Sequence, residues 1–257
     1  MPELPEVEEF RKKSKKALDK EIVGIEVNYE KPIKVSEKTL KRHLEGNKLL
    51  STDRHGKHLF LEISDGYWLA LHFGMTGDVS FWNKERPDHV LMNISFNEGN
   101  FAITSVRRWG WIDLVNKKKE YIEDHDLGPD ALDISEEELL GIFEKSRGMI
   151  KTTLMDQHKM AGIGNIYCDE ILFQTGIHPK TKIKDIRDEK RKEMYGNMKN
   201  ILGVALKNNA NIKKFPARFI IPKREKRAKC PRCRSGIKKI KVGGRSTYYC
   251  PKCQEKK

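Results

Sequence analysis

Cys-Pro-Arg-Cys at 230–233 and Cys-Pro-Lys-Cys at 250–253 form two Cys-x-x-Cys pairs near the end of the chain. Sixteen residues separate the inner cysteines, a spacing found in four-cysteine zinc sites. Thiolates are soft ligands, and a two-residue gap lets one tight turn direct both sulfurs to one tetrahedral ion. Four protein ligands leave no open coordination position, so we expect one structural Zn²⁺. The ligands would be Cys230, Cys233, Cys250 and Cys253.

Other interpretations of the four cysteines are weaker. Disulfides require an oxidising compartment, and we find no signal peptide at the start of the sequence. A redox Cys-x-x-Cys is expected near a βαβ pattern rather than as a pair in a basic tail. The remaining cysteine, Cys168, lies in an apolar helical pattern and is interpreted as a small core residue.

Nearly all the excess positive charge lies in the same C-terminal region. Residues 213–257 contain 17 Lys+Arg against 2 Asp+Glu, whereas the whole chain carries a formal net charge of +14. Residues 1–212 therefore sum to −1. A compact basic module is typical of a surface that binds phosphate. Binding to a membrane surface would favour a basic amphipathic helix, and no apolar run approaches the ~20 residues needed to cross a bilayer.

Three kinds of pattern follow one another along the chain. Residues 3–19 have the apolar spacing of a helix, residues 21–115 contain short apolar runs separated by turn signals, and the second half is helical. The closely spaced runs favour an antiparallel sandwich or barrel. The predicted strands span 21–29, 57–63, 67–73, 89–96, 100–106 and 109–115. The predicted later helices follow a capping box at 135–138 and then span 149–157, 165–174 and 185–208.

The N-terminus, Met-Pro-Glu-Leu-Pro-Glu at 1–6, is the first candidate for chemistry. Removal of the initiator methionine would leave Pro2 as a secondary amine. An α-amino group has a pKa of about 8, against about 10.4 for lysine, so much more of it is free to attack a carbonyl-like carbon at neutral pH. Glu3 and Glu6 could supply general acid–base function beside it. The alternative is ordinary capping, with proline at a helix start and glutamate in the first turn.

Four other features are candidates, each with an ordinary structural alternative. The Gly-containing turn at 161–165 could present backbone amides and a helix N-terminus to a phosphate, or it could only connect two helices. The segment 107–109, Arg-Arg-Trp, could stack on bases, or its tryptophan could pack in the core. A methionine such as Met75 more often packs in the fold than takes part in function. A lysine such as Lys57 more often lies in a solvated turn.

These motifs together resemble the formamidopyrimidine-DNA glycosylase and endonuclease VIII family of bifunctional base-excision repair enzymes, over nearly the whole chain. Pro-Glu-Leu-Pro-Glu-Val-Glu at 2–8 looks like the formamidopyrimidine-DNA glycosylase branch. Leu-Met-Asp-Gln at 154–157, Gly-Ile-Gly-Asn-Ile-Tyr at 162–167 and Gly-Ile-His-Pro at 176–179 match the family's helix–two-turns–helix element. Arg-Ser-Thr-Tyr-Tyr-Cys at 245–250 matches a strand of its zinc finger.

The resemblance implies catalytic roles for Pro2, Glu3, Lys57 and Arg245. Pro2 matches the nucleophile that attacks the anomeric carbon of the sugar, and Glu3 matches the residue that opens the sugar and shuttles protons. Lys57 matches a lysine at the catalytic phosphate and lesion site. The reaction implied is glycosidic cleavage, an iminium between Pro2 and the sugar, and then β- and δ-elimination.

The same resemblance implies how the chain would hold DNA. Asn165 and Arg245 match residues that grip the phosphates around an extruded nucleotide. Met75, Arg107 and Trp109 match three positions that fill the gap left by the flipped base, and the family has phenylalanine at the third. The full set of implied DNA-binding residues is His89, Arg107, Lys151, Asn165 and Arg245.

On this basis we predict an α+β fold. An N-terminal helix and an antiparallel β-sandwich would be followed by a helix–two-turns–helix domain and a C-terminal four-cysteine zinc finger. The predicted parts are a catalytic domain at 1–120, a DNA-binding domain at 131–212 and a basic zinc-finger module at 213–257. We expect a monomer that acts on double-stranded DNA with oxidised bases or abasic sites, without a membrane partner. Its expected location is the cytoplasm, associated with the nucleoid in a prokaryote.

The sequence also departs from the pattern of the formamidopyrimidine branch. That branch usually has a long glycine-containing loop between the last helix and the zinc finger, which closes over a flipped purine. Here the interval 208–229 is short and contains no glycine, so endonuclease VIII-like specificity for oxidised pyrimidines is an alternative. Ser105-Val106 also replaces the Asp-Pro that commonly precedes the paired arginines. A damaged-DNA binding protein without catalysis, or a zinc-ribbon protein outside repair, are alternatives from other classes.

Overall fold

The chain forms two compact units, seen in a computed structural model that describes residues 1–255. The first unit spans Met1–Asp126, and the second begins at Leu127. Within residues 1–255, no helix is both long enough and apolar enough to cross a membrane.

The first unit combines three helices with two antiparallel four-stranded sheets. Its helices are α1 (Leu4–Ser14), α2 (Glu37–Leu44) and α3 (Lys118–Asp124). Its strands are β1 (Ile22–Val27), β2 (Leu49–His55), β3 (His58–Ile63), β4 (Trp68–His72), β5 (Gly77–Trp82), β6 (Val90–Phe96), β7 (Asn100–Ser105) and β8 (Trp111–Val115). The strand orders are β1-β6-β7-β5 and β2-β3-β4-β8. Both sheets contribute side chains to one apolar cluster, which α1 and α2 also join. The predicted β-sandwich is confirmed.

The second unit is helical and ends in a β-hairpin. Its helices are α4 (Glu136–Glu144), α5 (Ile150–Leu154), α6 (Asn165–Thr175) and α7 (Asp188–Lys207), and its strands are β9 (Lys238–Val242) and β10 (Arg245–Tyr249). Ser135 caps α4 through the capping box that the sequence predicts. α7 packs against α6, and β10 also contacts α6. The described elements confirm the predicted order of helices followed by a zinc-finger hairpin.

The sequence does not predict β2, β5, α2 or α3. β2 reads Leu-Leu-Ser-Thr-Asp-Arg-His, which has no alternation of apolar and polar residues. It is held by its pairing with β3, from Leu49↔Ile63 to His55↔His58. A strand defined by its partner rather than by its own pattern leaves little signal in the sequence.

Candidate active site and DNA-binding residues

The predicted catalytic pair lies where α1 begins. Glu3 has an extended backbone and its residue is only 1% exposed, while Pro2 is partly buried. The Glu3 N–H donates to the Glu6 carboxylate at 2.9 Å, and the two residues form a capping box. Leu4 is buried immediately after them. The capping interpretation and the catalytic prediction are therefore compatible, because the cap fixes Glu3 beside Pro2.

Lys57 lies in the tight turn between β2 and β3, and it is 7% exposed rather than solvated. Gly56, with φ +56°, provides the left-handed backbone at the start of this turn. Burial is the largest cause that lowers the pKa of His72, and the charges of Lys57 and Lys34 lower it further, to about 4. The buried His72 imidazole therefore lies within range of the Lys57 charge.

His58 and His72 lie near Lys57, on the two strands that follow it, and the sequence does not single them out. They are paired in register across β3 and β4, with ring centroids 5.0 Å apart. Burial, followed by the charges of His72 and His125, lowers the pKa of His58 to about 3. The sequence gives no indication that these two histidines meet, because they are fourteen positions apart and only the pairing of β3 with β4 brings them together.

The three predicted void-filling residues lie together on two adjacent loops of the first unit. An Arg107 guanidinium nitrogen lies 3.4 Å from Met75 Sδ, and the Arg107 guanidinium lies 5.7 Å from the centre of the Trp109 ring. Trp109 is 57% exposed, unusual for a tryptophan. This excludes the interpretation of Trp109 as a core residue and leaves a flat apolar group facing solvent.

Two glycines let these loops approach each other. Gly74 has φ +54°, and a Cβ there would lie 2.2 Å from the Trp109 carbonyl oxygen. Gly110 has φ +115°, and a Cβ there would lie 2.2 Å from the His72 carbonyl oxygen. Backbone oxygens cannot move away as a flexible side chain can, so any larger residue would push the loops apart.

Hydroxyl groups also connect these loops. The Arg107 N–H donates to Thr76 Oγ1 at 2.9 Å, and Thr76 Oγ1 lies 3.3 Å from Ser105 Oγ. Ser105 Oγ also donates to the Trp109 carbonyl at 3.4 Å. Ser105, which stands where the family commonly has aspartate, is thus part of a hydrogen-bonded loop base. The neighbouring Arg108 differs from Arg107, because it stacks on Tyr29 at 3.7 Å.

His89 is exposed at the root of the same loop. Its backbone φ is +57°, and its carbonyl accepts the Ser105 N–H at 3.0 Å. The first unit therefore holds Pro2, Glu3, Lys57, Met75, His89, Arg107 and Trp109.

In the second unit the structure brings Asn165 and Arg245 together. Asn165 is the first residue of α6, and its Nδ2 donates to the Ser246 carbonyl at 2.9 Å. Arg245 is exposed at the start of β10, directly after Gly243 and Gly244, whose φ values of +54° and +76° suit a two-residue hairpin turn. A helix N-terminus and a basic hairpin thus meet at one place, which is a favourable arrangement for binding an anion.

Lys151 is the predicted DNA-binding residue that is fully buried. Its ammonium donates to the Asp169 carboxylate, and neither side chain has any exposed surface. A contact between Lys151 and DNA stays a prediction, and it would require the ammonium to leave Asp169.

The four cysteines converge on one point. Their sulfurs all lie within 4.8 Å of one another, with Cys233–Cys250 and Cys230–Cys253 Sγ separations of 3.5 and 3.9 Å. A tetrahedral site with Zn–S bonds near 2.3 Å requires separations of about 3.8 Å. Backbone N–H groups of Arg232 and Cys253 point to sulfurs at 3.4 Å. The donor set fits one structural zinc, and among the described residues these cysteines are the only such group.

Known protein families match three successive parts of the chain. Residues 1–112 match the formamidopyrimidine-DNA glycosylase N-terminal domain, residues 127–216 its H2TH domain, and residues 228–256 a zinc finger found in FPG and IleRS. The formamidopyrimidine-DNA glycosylase of Lactococcus lactis subsp. cremoris is 31% identical over 275 residues, with all of both chains covered. That of Bacillus subtilis (strain 168) is 33% identical over 279 residues, again with all of both chains covered.

The fold of this chain is also similar to solved structures of this family. The Lactococcus lactis Fpg bound non-covalently to DNA containing an AP site has a TM-score of 0.89 and 30% identity. The complex of the Lactococcus lactis enzyme with DNA containing Fapy-dG has a TM-score of 0.90 and 29% identity. Both alignments cover 99% of this chain and 100% of the other. A β-sandwich opened by Pro-Glu, an H2TH unit and a four-cysteine finger define a zinc-finger DNA glycosylase. The chain belongs to the formamidopyrimidine-DNA glycosylase family.

Proposed function

We propose that this chain is a bifunctional DNA glycosylase and AP lyase that excises oxidised bases from double-stranded DNA. The observation that carries the proposal is the buried Glu3, fixed by its capping box directly beside Pro2. A carboxyl group held next to an N-terminal secondary amine provides a nucleophile and a proton carrier in one place. The relatives named above are formamidopyrimidine-DNA glycosylases, which supports the same reaction.

The proposed chemistry uses the Pro2 amine after Met1 has been removed. The nitrogen lone pair attacks the anomeric carbon, and the electron pair of the glycosidic bond leaves with the damaged base. Glu3 delivers a proton to the ring oxygen of the sugar, which opens to give an iminium. Loss of a proton from the adjacent carbon then expels the 3′-phosphate, and a second elimination expels the 5′-phosphate. Lys57 would lie near the catalytic phosphate.

The remaining predicted residues would hold the DNA and replace the extruded base. Extrusion costs a few kcal/mol, and side chains that fill the void offset part of this cost. Met75, Arg107 and the exposed Trp109 are suited to this by their grouping on adjacent loops. His89, Asn165 and Arg245 would bind phosphates, which suits an enzyme that searches DNA of any sequence. The zinc supports the finger and takes no part in this chemistry.

The lesion preference is the point on which two candidates differ. In this chain the interval 208–229 includes Phe219 and Ile220, which are buried, and the Ile221 N–H donates to the buried Glu170 carboxylate at 2.8 Å. An anchored segment of this kind favours substrates that need no long loop to cover the base. We therefore propose ring-opened purines as the main substrates, with oxidised pyrimidines as the alternative.

A panel of duplexes tests this proposal. Each duplex carries one ring-opened purine, one 8-oxoguanine, one oxidised pyrimidine or one abasic site, and base release and strand scission are measured separately. We expect release of ring-opened purine to be the fastest, and Glu3→Gln to abolish release while leaving DNA binding intact. Binding without any base release or scission by the wild type would instead support a damaged-DNA binding protein.

We also propose a monomer that works in the cytoplasm, associated with the nucleoid in a prokaryote. The three-part division at 1–120, 131–212 and 213–257 belongs to the same proposal, with the second and third parts making up one compact unit. Sedimentation equilibrium with and without duplex DNA tests the monomer, and a two-fold mass would contradict it.

A further inference from the structure

The buried carboxylate of Asp169 connects three parts of the second unit. Asp169 is 1% exposed and lies on α6. One carboxylate oxygen accepts the Lys151 ammonium from α5. The other accepts the Arg224 guanidinium at 2.8 and 3.1 Å, and also the backbone N–H of Tyr248 on β10 at 3.1 Å.

Asp169 and Asn165 bind the same edge of β10. They are four residues apart on α6, so they lie on one face of the helix, one turn from each other. Asn165 donates to the Ser246 carbonyl and Asp169 accepts the Tyr248 N–H. Ser246 and Tyr248 are two apart on a strand, so their backbone groups point to the same side. The outer edge of the β9–β10 hairpin is therefore joined to α6 at two successive points.

We propose that Asp169 is a positioning residue for the phosphate-binding pair Asn165 and Arg245. Arg245 is the first residue of β10, and its position depends on how the strand is held against α6. Asn165 secures the strand one residue beyond Arg245, and Asp169 prevents the strand from rotating about that point. The inference rests on the proposed function, because it assumes that Arg245 and Asn165 bind DNA phosphate.

The charges around Asp169 explain why its carboxylate keeps this position. Lys151 is fully buried, and the Arg224 side chain is 14% exposed. A buried carboxylate with two cationic partners has most of its hydrogen-bonding capacity satisfied, and it has little freedom to rotate. An amide in its place would present an N–H₂ group to at least one of three donors. Lys151 thus acts on the hairpin through Asp169.

Binding to a duplex containing tetrahydrofuran, an abasic-site analogue without a glycosidic bond, tests this role without requiring catalysis. Four proteins are compared: the wild type, Asp169→Asn, Arg245→Ala and the double variant. We expect Asp169→Asn to weaken binding about 10-fold, because a displaced Arg245 would lose a charge-assisted contact with phosphate, which contributes on the order of 10-fold in affinity. The double variant should bind no more than about two-fold more weakly than Arg245→Ala alone, because coupled residues are not additive.

Salt dependence and zinc content separate positioning from simple destabilisation. Both single variants should lose about one unit from the slope of log affinity against log salt, and the double variant should also lose one rather than two. Each variant should retain one zinc per chain. Glu189→Gln on α7, the same change of charge at an exposed position, should match the wild type. Multiplicative losses in the double variant, or an unchanged slope in Asp169→Asn, would overturn the proposal.

A second variant covers the case in which Asp169→Asn loses its zinc. Asp169→Glu keeps the negative charge but moves the carboxylate by one methylene, and it takes the same place in the cycle with Arg245→Ala. We expect weaker binding with one zinc retained, and no further loss in the double variant. Unchanged binding by Asp169→Glu would contradict the inference. A wild type that binds the tetrahydrofuran duplex but never cleaves lesions would refute the proposed catalysis alone.

Discussion

The two units hold their predicted functional residues by different physical means. In the first unit, Pro2, Glu3 and the void-filling loops are built on a sandwich whose apolar cluster draws on two sheets and two helices. The zinc-finger hairpin has a small apolar cluster, in which Phe173, Ile220 and Ile237 pack with two of the cysteines. So small an apolar core cannot stabilise a hairpin by itself. Most of the stability of the hairpin must therefore come from the bound metal and the buried ion pairs. The positions of Pro2 and Glu3 thus depend on a packed sandwich and a helix cap, whereas those of Asn165 and Arg245 depend on buried charges and zinc.

The two units also bury groups whose pKa values are shifted in opposite directions on folding. The first unit keeps His58 and His72 neutral, with pKa values lowered to about 3 and 4. The second buries carboxylates, and burial raises the pKa of Glu170 to about 7. All four tryptophans, at 68, 82, 109 and 111, lie in the first unit. Tryptophan fluorescence therefore reports on that unit, while zinc release reports on the other.

Loss of one zinc ligand should have the largest effect and should be confined to the second unit. Cys233→Ser removes one of four thiolates, and structural zinc supplies on the order of 10 kcal/mol of folding free energy. We expect loss of zinc and at least about 100-fold weaker DNA binding, with the fluorescence unfolding curve unchanged. Zinc titration, DNA-binding anisotropy and urea unfolding measure the three quantities. Normal DNA binding by Cys233→Ser would contradict the role given to the finger.

A cavity in the sandwich should have the converse effect. Leu61 on β3 is fully buried in the apolar cluster, so Leu61→Ala should lower the free energy of unfolding by about 2–5 kcal/mol. Tryptophan fluorescence in urea measures this loss. Zinc should be released at the same urea concentration as from the wild type, and earlier release would show that the two units are not independent.

A change of pH should shift the free energies of unfolding of the two units in opposite directions. A histidine whose pKa is lowered on folding stabilises the fold above its unfolded value, so the first unit should lose stability as the pH falls from about 6.5 towards 4. Glu170, whose pKa is raised on folding, contributes stability below about pH 4.5 that is lost as the pH rises through about 7. The pKa shifts of His72 and Glu170 each correspond to roughly 3 kcal/mol at most, and that of His58 to roughly 5 kcal/mol at most.

Unfolding curves between pH 5.5 and 8 measure both trends, with fluorescence for the first unit and zinc release for the second. His72→Gln should flatten the fluorescence trend, and Glu170→Gln should flatten the zinc trend. A fluorescence trend that survives His72→Gln and also a change of His58 to Gln would rule out the buried histidines as its cause.

Truncation of the exposed Trp109 side chain should have the smallest effect on activity. The effect should be confined to substrates that have a base to extrude. Trp109→Ala should slow excision of a damaged base about 10-fold, because less of the extrusion cost of a few kcal/mol is recovered. Cleavage at a preformed abasic site should change less than about two-fold. Trp109→Phe, which keeps a flat apolar ring, serves as the control. Equal losses on both substrates would mean that Trp109 supports binding in general rather than extrusion.

The features that could be predicted from the sequence are those that depend on local patterns. The zinc ligands are a local pattern that spacing and residue type suffice to predict. The Pro-Glu start and the Gly-Ile-Gly-Asn turn are also local, but their predicted roles rest on the resemblance to the family. Most predicted strands have apolar runs and are confirmed within a few residues. β2 is missed because pairing with β3 creates it.

The residues that the sequence does not single out depend on long-range contacts. Asp169 reads as an ordinary polar residue within α6, and only the fold brings it to Lys151, Arg224 and Tyr248. Ser105 looks like a departure from the family, although its hydroxyl joins the loop base. A single sequence does not encode such partners in any local pattern.

Borohydride trapping on a duplex with one abasic site tests the central claim most directly, using protein whose N-terminus has been verified by mass spectrometry. We expect a covalent adduct with the wild type once Met1 has been removed. Pro2→Gly should give no adduct while still binding the tetrahydrofuran duplex. An adduct that persists in Pro2→Gly, or its absence from wild-type protein lacking Met1, would contradict the assignment of Pro2 as the nucleophile.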